Sequence, residues 1–70
     1  MIEKVISLIC EELGYERDSI NENTELNEFI EDGTELEDII HIIEGEFYAD
    51  LSEELHGDTT LATIAEILEQ

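Results

Sequence analysis

Apolar residues in this chain return at steps of three and four, and no stretch alternates apolar with polar long enough to make a strand, so the chain is confined to helices. Ile2, Val5, Ile6, Ile9 and Leu13 set the pattern. It predicts a helix over Ile2 to Leu13, with Gly14 placed to end it. From Tyr15 to Gly33 the composition turns to Asn, Asp, Glu and Ser, with apolar anchors at Ile20, Leu26, Phe29 and Ile30. This reads as a long loop pinned to the core, with one short turn around Leu26 to Ile30.

Thr34 followed by Glu37 has the spacing of a capping box, in which each side chain satisfies a free N–H of a helix start. A second main helix is predicted there, burying Leu36, Ile39, Ile40, Ile43 and Phe47 and turning Glu35, Asp38, His41 and Glu44 or Gly45 outward. Gly45 inside it costs about 1 kcal/mol against alanine, so its last turn is expected to be weak or closely packed. Leu51 to Leu55 predicts a short third helix capped by Asp50 or Ser52. A last helix follows, capped by Asp58, Thr59 or Thr60, with Leu61, Ile64, Ile67 and Leu68 inward. The expected fold is all-α, a bundle of three main helices plus one short helix, with a long loop between helices one and two.

Seventy residues fit one domain, and a chain this short needs dense aliphatic packing, a metal or disulfides. One cysteine rules out internal disulfides; Cys10 sits among Ile6, Leu8, Ile9 and Leu13 and reads as a small hydrophobe. Eleven Ile and eight Leu supply the core. There is no proline, low-complexity tract or internal repeat, and hence no linker. The N-terminus has neither a basic region leading into a long apolar run nor a membrane span, so a cytoplasmic setting is expected.

Two basic side chains stand against twenty-one acids, a formal net charge of −19. Lys4 and Arg17 are the only cations, and none follows Arg17. Direct nucleic-acid binding is excluded on that ground, since affinity for phosphates rests on Lys and Arg. Such a surface attracts basic protein patches or loosely held divalent cations, and keeps the domain soluble and monomeric.

Few residues offer chemistry. His41 and His56 lie in different predicted elements, and no His or Cys cluster has ligand spacing, so no dedicated metal site is expected. His41, between Asp38 and Glu44, reads as an ordinary surface histidine on the outer face of that helix. Around Asp32, Gly33, Thr34, Glu37 and Asp38 the oxygen ligands cluster, but the glycine follows Asp32 directly and the spacing of a calcium loop is missing. No serine or cysteine has a credible base and no glycine-rich phosphate loop occurs, so an enzyme is not expected.

The order of helix, anchored loop, central helix, short helix and last helix resembles the acyl carrier proteins. Ile9 to Tyr15 (Ile-Cys-Glu-Glu-Leu-Gly-Tyr) is similar to the end of that family's first helix, and Ile20 to Leu26 (Ile-Asn-Glu-Asn-Thr-Glu-Leu) to its loop. Glu44-Gly45-Glu46-Phe47 resembles the end of its second helix, Asp50-Leu51-Ser52 the acidic turn that follows, and Thr59-Thr60-Leu61 the start of its last helix. The resemblance spans nearly the whole chain.

It also implies a modified serine, in an Asp-Ser-Leu motif at the start of helix two, which carries a phosphopantetheine arm. Fourteen residues before Phe47, the family's spacing, that motif falls on Asp32-Gly33-Thr34, and glycine stands in the serine's place. Glycine has no oxygen to attack a cofactor donor. Ser7, Ser19 and Ser52 are too far along the chain, and Thr34 is the only nearby hydroxyl.

The resemblance therefore implies an acidic interaction module that carries no phosphopantetheine cofactor. It would bind a basic patch on a protein partner such as a synthase or transferase through Asp32, Glu35, Asp38, His41 and Glu44. Two alternatives stay open: a carrier of fatty-acid or polyketide type modified at Thr34, and an acidic mimic of nucleic acid.

Overall fold

A computed structural model describes all 70 residues, and every regular element in it is helical. Helix α1 (Ile2–Leu13) buries Val5, Ile6, Leu8 and Ile9. Gly14 ends it at φ 79°, a left-handed conformation, and donates its N–H to the Cys10 carbonyl. A single 3₁₀ turn, Arg17–Ser19, leads to α2 (Leu26–Glu31), then α3 (Leu36–Phe47) and α4 (Leu61–Leu68). Helix α1 packs against α4 and α3, and α2 against α3. Fifteen buried apolar residues join in one core, with Val5, Ile9, Leu26, Phe29, Ile39, Ile43, Leu61 and Ile64 fully enclosed. No carboxylate is buried.

The segment between α1 and α3 departs from the expected loop with one short turn. Leu26 and Phe29 turn inward from a six-residue helix whose start carries a capping box: Glu25 accepts from the N–H of Glu28, and the Glu28 carboxylate accepts from the N–H of Glu25 at 3.1 Å. The spacing that makes such a box was present here with glutamate in the first place. The box expected on Thr34 and Glu37 does not form. Helix α3 has Glu35 as its N-cap without a side-chain bond, and the Thr34 N–H is already given to the Phe29 carbonyl.

The short helix expected over Leu51 to Leu55 is a lone turn. The Leu51 carbonyl accepts from the N–H groups of Glu54 and Leu55, and no regular helix is built on that turn. Leu51 and Leu55 are both 2% exposed and anchor the turn from its two ends. Glu44 holds it from α3, its carboxylate accepting from the Leu51 N–H at 2.7 Å. The bundle thus has three main helices and one short one, but the short helix comes before the central helix.

The starts of α2 and α4 are built alike and joined to each other. Thr24 and Thr59, the two buried polar residues, each accept on the hydroxyl from an N–H three residues back, Asn21 at 2.9 Å and His56 at 2.9 Å. Leu26 donates its N–H to the Thr59 carbonyl, and Leu61 donates to the Thr24 carbonyl, both at 3.0 Å. Asn27 to Gly57 at 2.7 Å and Ala62 to Glu22 at 2.9 Å flank this exchange. Of the three caps offered for α4, Thr60 is used, accepting from the Thr63 N–H at 3.2 Å.

Gly45 lies exposed in α3, and an added β-carbon meets nothing within 4 Å, so it neither admits close packing nor needs its missing side chain. Gly45→Ala should therefore stabilise the fold by about 1 kcal/mol through helix propensity alone. Urea unfolding reads this as a raised midpoint at unchanged slope; a lowered midpoint would show that the glycine is required.

Candidate functional site

The candidate residues fall at two places, the corner between α2 and α3 and the outer face of α3. At the corner, Asp32 is the last residue with right-handed backbone, and Gly33 follows at φ 107°. Gly33 donates its N–H to the Ile30 carbonyl and Thr34 donates to the Phe29 carbonyl, each at 3.0 Å. This pair of bonds is a Schellman stop, the arrangement that satisfies the last carbonyls of a helix through a left-handed residue. Glycine at 33 thus has a structural cause. A β-carbon there would find open space within 4 Å, so the constraint is the positive φ and not crowding.

Helix α3 opens at Leu36 with Glu35 as N-cap, two residues beyond Gly33. Counted from the helix start, the threshold residue is Glu35; counted back from Phe47, it is Gly33. Neither carries a hydroxyl. Thr34 lies between them, half-buried, and its hydroxyl does not cap α3.

Tyr15, which carried no role in the sequence reading, closes the corner from the other side. Its ring meets Phe29 edge-on with centroids 5.0 Å apart, and its hydroxyl donates to the Asp32 carboxylate. Asp32 is thereby occupied within the fold, although it remains solvent-exposed. That bond, with burial and the nearby charges of Asp32 and Glu28, pushes the Tyr15 phenol up to about 12.

On α3, Glu35, Asp38 and His41 are all exposed and follow one another at three-residue steps, which places them along one edge of the helix. Glu37 is exposed beside them. Acids at a helix start are favoured by the helix dipole, so this end of α3 tolerates the concentration of charge. Glu44 does not join the edge: it is half-buried and bound to the Leu51 N–H. The one ion pair in the molecule joins Arg17 to Glu3, so none of the outer acids of α3 is paired with a cation of the chain. No three His, Cys, Asp or Glu side chains converge as metal ligands would, and no helix is long and apolar enough to cross a membrane.

The Tyr15–Asp32 bond gives stability a definite pH dependence. Because folding raises the Tyr15 pKa from 10.0 to about 12, its contribution is complete below pH 10 and is lost as pH climbs towards 12. At neutral pH Tyr15→Phe should cost about 1 kcal/mol, the ordinary worth of one hydrogen bond. Urea unfolding of both proteins across the alkaline range should show the difference shrink; a difference independent of pH would mean that the bond does not form. Comparison of the chain with protein-family models, with curated proteins and with solved structures finds no match.

Proposed function

We propose that this chain is an acidic docking module of acyl-carrier-like design that works without a phosphopantetheine arm. Its partner is a protein with a basic patch, of the kind a synthase or transferase presents, and the recognising surface is the outer edge of α3. The observation that carries this reading is the row of Glu35, Asp38 and His41, all exposed, whose acids form no ion pair within the chain. Unpaired carboxylates on a rigid helix attract a cationic surface at long range and are cheap to desolvate only when a partner supplies the opposite charge. Of the five side chains expected to contact the partner, Asp32 and Glu44 are engaged by Tyr15 and Leu51, so the recognition falls mainly on the other three.

Lack of a carrier arm is supported by the residues at the α3 threshold. Gly33 serves as a helix stop and Glu35 as the N-cap, and neither offers an alcohol. Electrostatic docking makes a clear prediction: affinity for a basic partner should fall steeply with salt, roughly tenfold or more from low to physiological ionic strength, mostly through slower association. Glu35→Gln combined with Asp38→Asn should flatten that dependence. An affinity indifferent to salt and to both substitutions would remove this reading.

One observation favours a second reading. Thr34 is half-buried and its hydroxyl is released from the capping role that would have explained it. It remains the one alcohol at the threshold, where an arm could be attached. Intact mass after incubation with a phosphopantetheinyl transferase and coenzyme A decides between the two. The expected mass is unchanged; a gain abolished by Thr34→Val would make the chain a carrier.

A further inference from the structure

Helix α3 is acidic at both of its ends, and only one end suits the charge. Glu37 and Asp38 stand in the first turn, where the helix dipole is positive. Glu46 stands in the last turn and Asp50 two residues past the cap, both exposed, where the dipole is negative and no basic residue of the turn offsets it. The backbone leaves this end open as well. Gly14 returns its N–H to α1, Gly33 and Thr34 return theirs to α2, and Glu69 returns its own to α4, but no backbone N–H from beyond Phe47 hydrogen-bonds to the last carbonyls of α3. Lys4 lines a hollow together with Glu46 and forms no ion pair with it. On the outward side of this turn Gly45 leaves the backbone bare, and Tyr48, three residues on, is 94% exposed. The chain's other aromatic side chains, Tyr15, Phe29 and Phe47, are buried or half-buried, so Tyr48 alone offers a free ring face.

We propose that the end of α3 is a docking point for an arginine side chain of the basic partner, whose guanidinium stacks on the Tyr48 ring and donates to the open carbonyls of the last turn. Charge complementarity selects this occupant. Glu46, Asp50 and the negative end of the dipole draw a cation and repel an anion, and a second copy of the chain would bring −19 against another −19. A metal ion is served no better here, since no three acidic or histidine side chains converge. Basic side chains at a helix end bind its last carbonyls. Here the last turn has no basic residue, so the cation has to come from outside the chain. Between the two cations the ring decides: a guanidinium is planar, carries five N–H groups in a fixed fork and stacks on an aromatic face, whereas an ammonium is compact and strongly hydrated. The proposal rests on the reading of this chain as an acidic docking module and deepens it. Glu35 and Asp38 attract any cation, and the far end of the helix tells arginine from lysine.

The test uses the full chain and two synthetic peptides of equal length and charge, oligo-arginine and oligo-lysine, titrated while backbone amide NMR is recorded. Oligo-arginine should bind about two- to fivefold tighter than oligo-lysine, the range expected of a guanidinium on an exposed ring. Its footprint should include residues 45–50 as well as residues 35–41. Tyr48→Gly should bring the two peptides to equal affinity; glycine takes a left-handed backbone readily and the lost ring is exposed, so the variant keeps its fold. Tyr48→Phe retains the ring and should retain the preference for arginine. Glu46→Gln should weaken both peptides and at the same time raise the urea midpoint of the free chain, because it removes an acid from the unfavourable end of the helix. Glu35→Gln with Asp38→Asn should weaken both peptides and leave their ratio unchanged. Equal affinity of the unaltered chain for the two peptides, a preference undiminished in Tyr48→Gly, or a footprint confined to residues 35–41 would overturn the proposal while the acidic edge of α3 stands. Absence of binding by either peptide would overturn the docking module and this proposal together.

Discussion

The rest of the structure depends on the reciprocal exchange between Leu26 and Thr59 and between Leu61 and Thr24. Each helix start leaves N–H groups without an intrahelical partner, and burying them unpaired is costly. Here each of the two starts uses the other's carbonyl. The exchange fixes α2 against α4, α2 ends in the stop at Gly33, and that stop sets the direction in which α3 leaves. The segment that reads as a loop is therefore the part of the chain that orients the candidate recognition helix.

Cohesion elsewhere is aliphatic, and charge contributes almost none of it. All twenty-one acids lie outside the buried set, and one ion pair joins a single acid to Arg17. Self-repulsion at this charge opposes compaction. The fold meets it by committing some acids to backbone groups: Glu25 and Glu28 at the start of α2, and Glu44 at the Leu51 turn. A carboxylate that accepts from an N–H makes one of the stronger hydrogen bonds in proteins. Acids serving the fold are thus separable from acids that have no partner within it, and Glu35 and Asp38 belong to the second group.

Periodicity made α1, the inward stripe of α3 and the inward face of α4 legible, because each lays Ile and Leu at helical steps long enough to be unambiguous. Gly14 was readable as a stop for the same reason. Helix α2 is not legible as a full helix because it has only six residues and its cap is glutamate, outside the favoured N-cap set of Ser, Thr, Asp and Asn. Thr34 misled in the opposite way: it has the right spacing to Glu37, but the Schellman stop before it had already claimed its N–H. The likeness of Thr24-Glu25-Leu26 to Thr59-Thr60-Leu61 was written in the sequence, yet its meaning lies in a pairing across 35 positions that no local pattern contains. For the candidate site, the outward edge of Glu35, Asp38 and His41 could be read from helical spacing. The commitment of Asp32 to Tyr15 could not, since it joins positions 17 apart.

Gly33 shows why a missing residue is weaker evidence than the backbone that replaces it. By its resemblance to the acyl carrier proteins, it stands where a serine would open a helix. In the fold it belongs to the helix before, as the left-handed residue that ends α2, and the start of α3 has moved on to Glu35. The chemistry of attachment needs an alcohol held outward at a helix threshold, and a left-handed position strongly disfavours any residue with a β-carbon. On the proposed reading, the same stop that aims the acidic edge of α3 also sets a glycine where an attachment alcohol would stand.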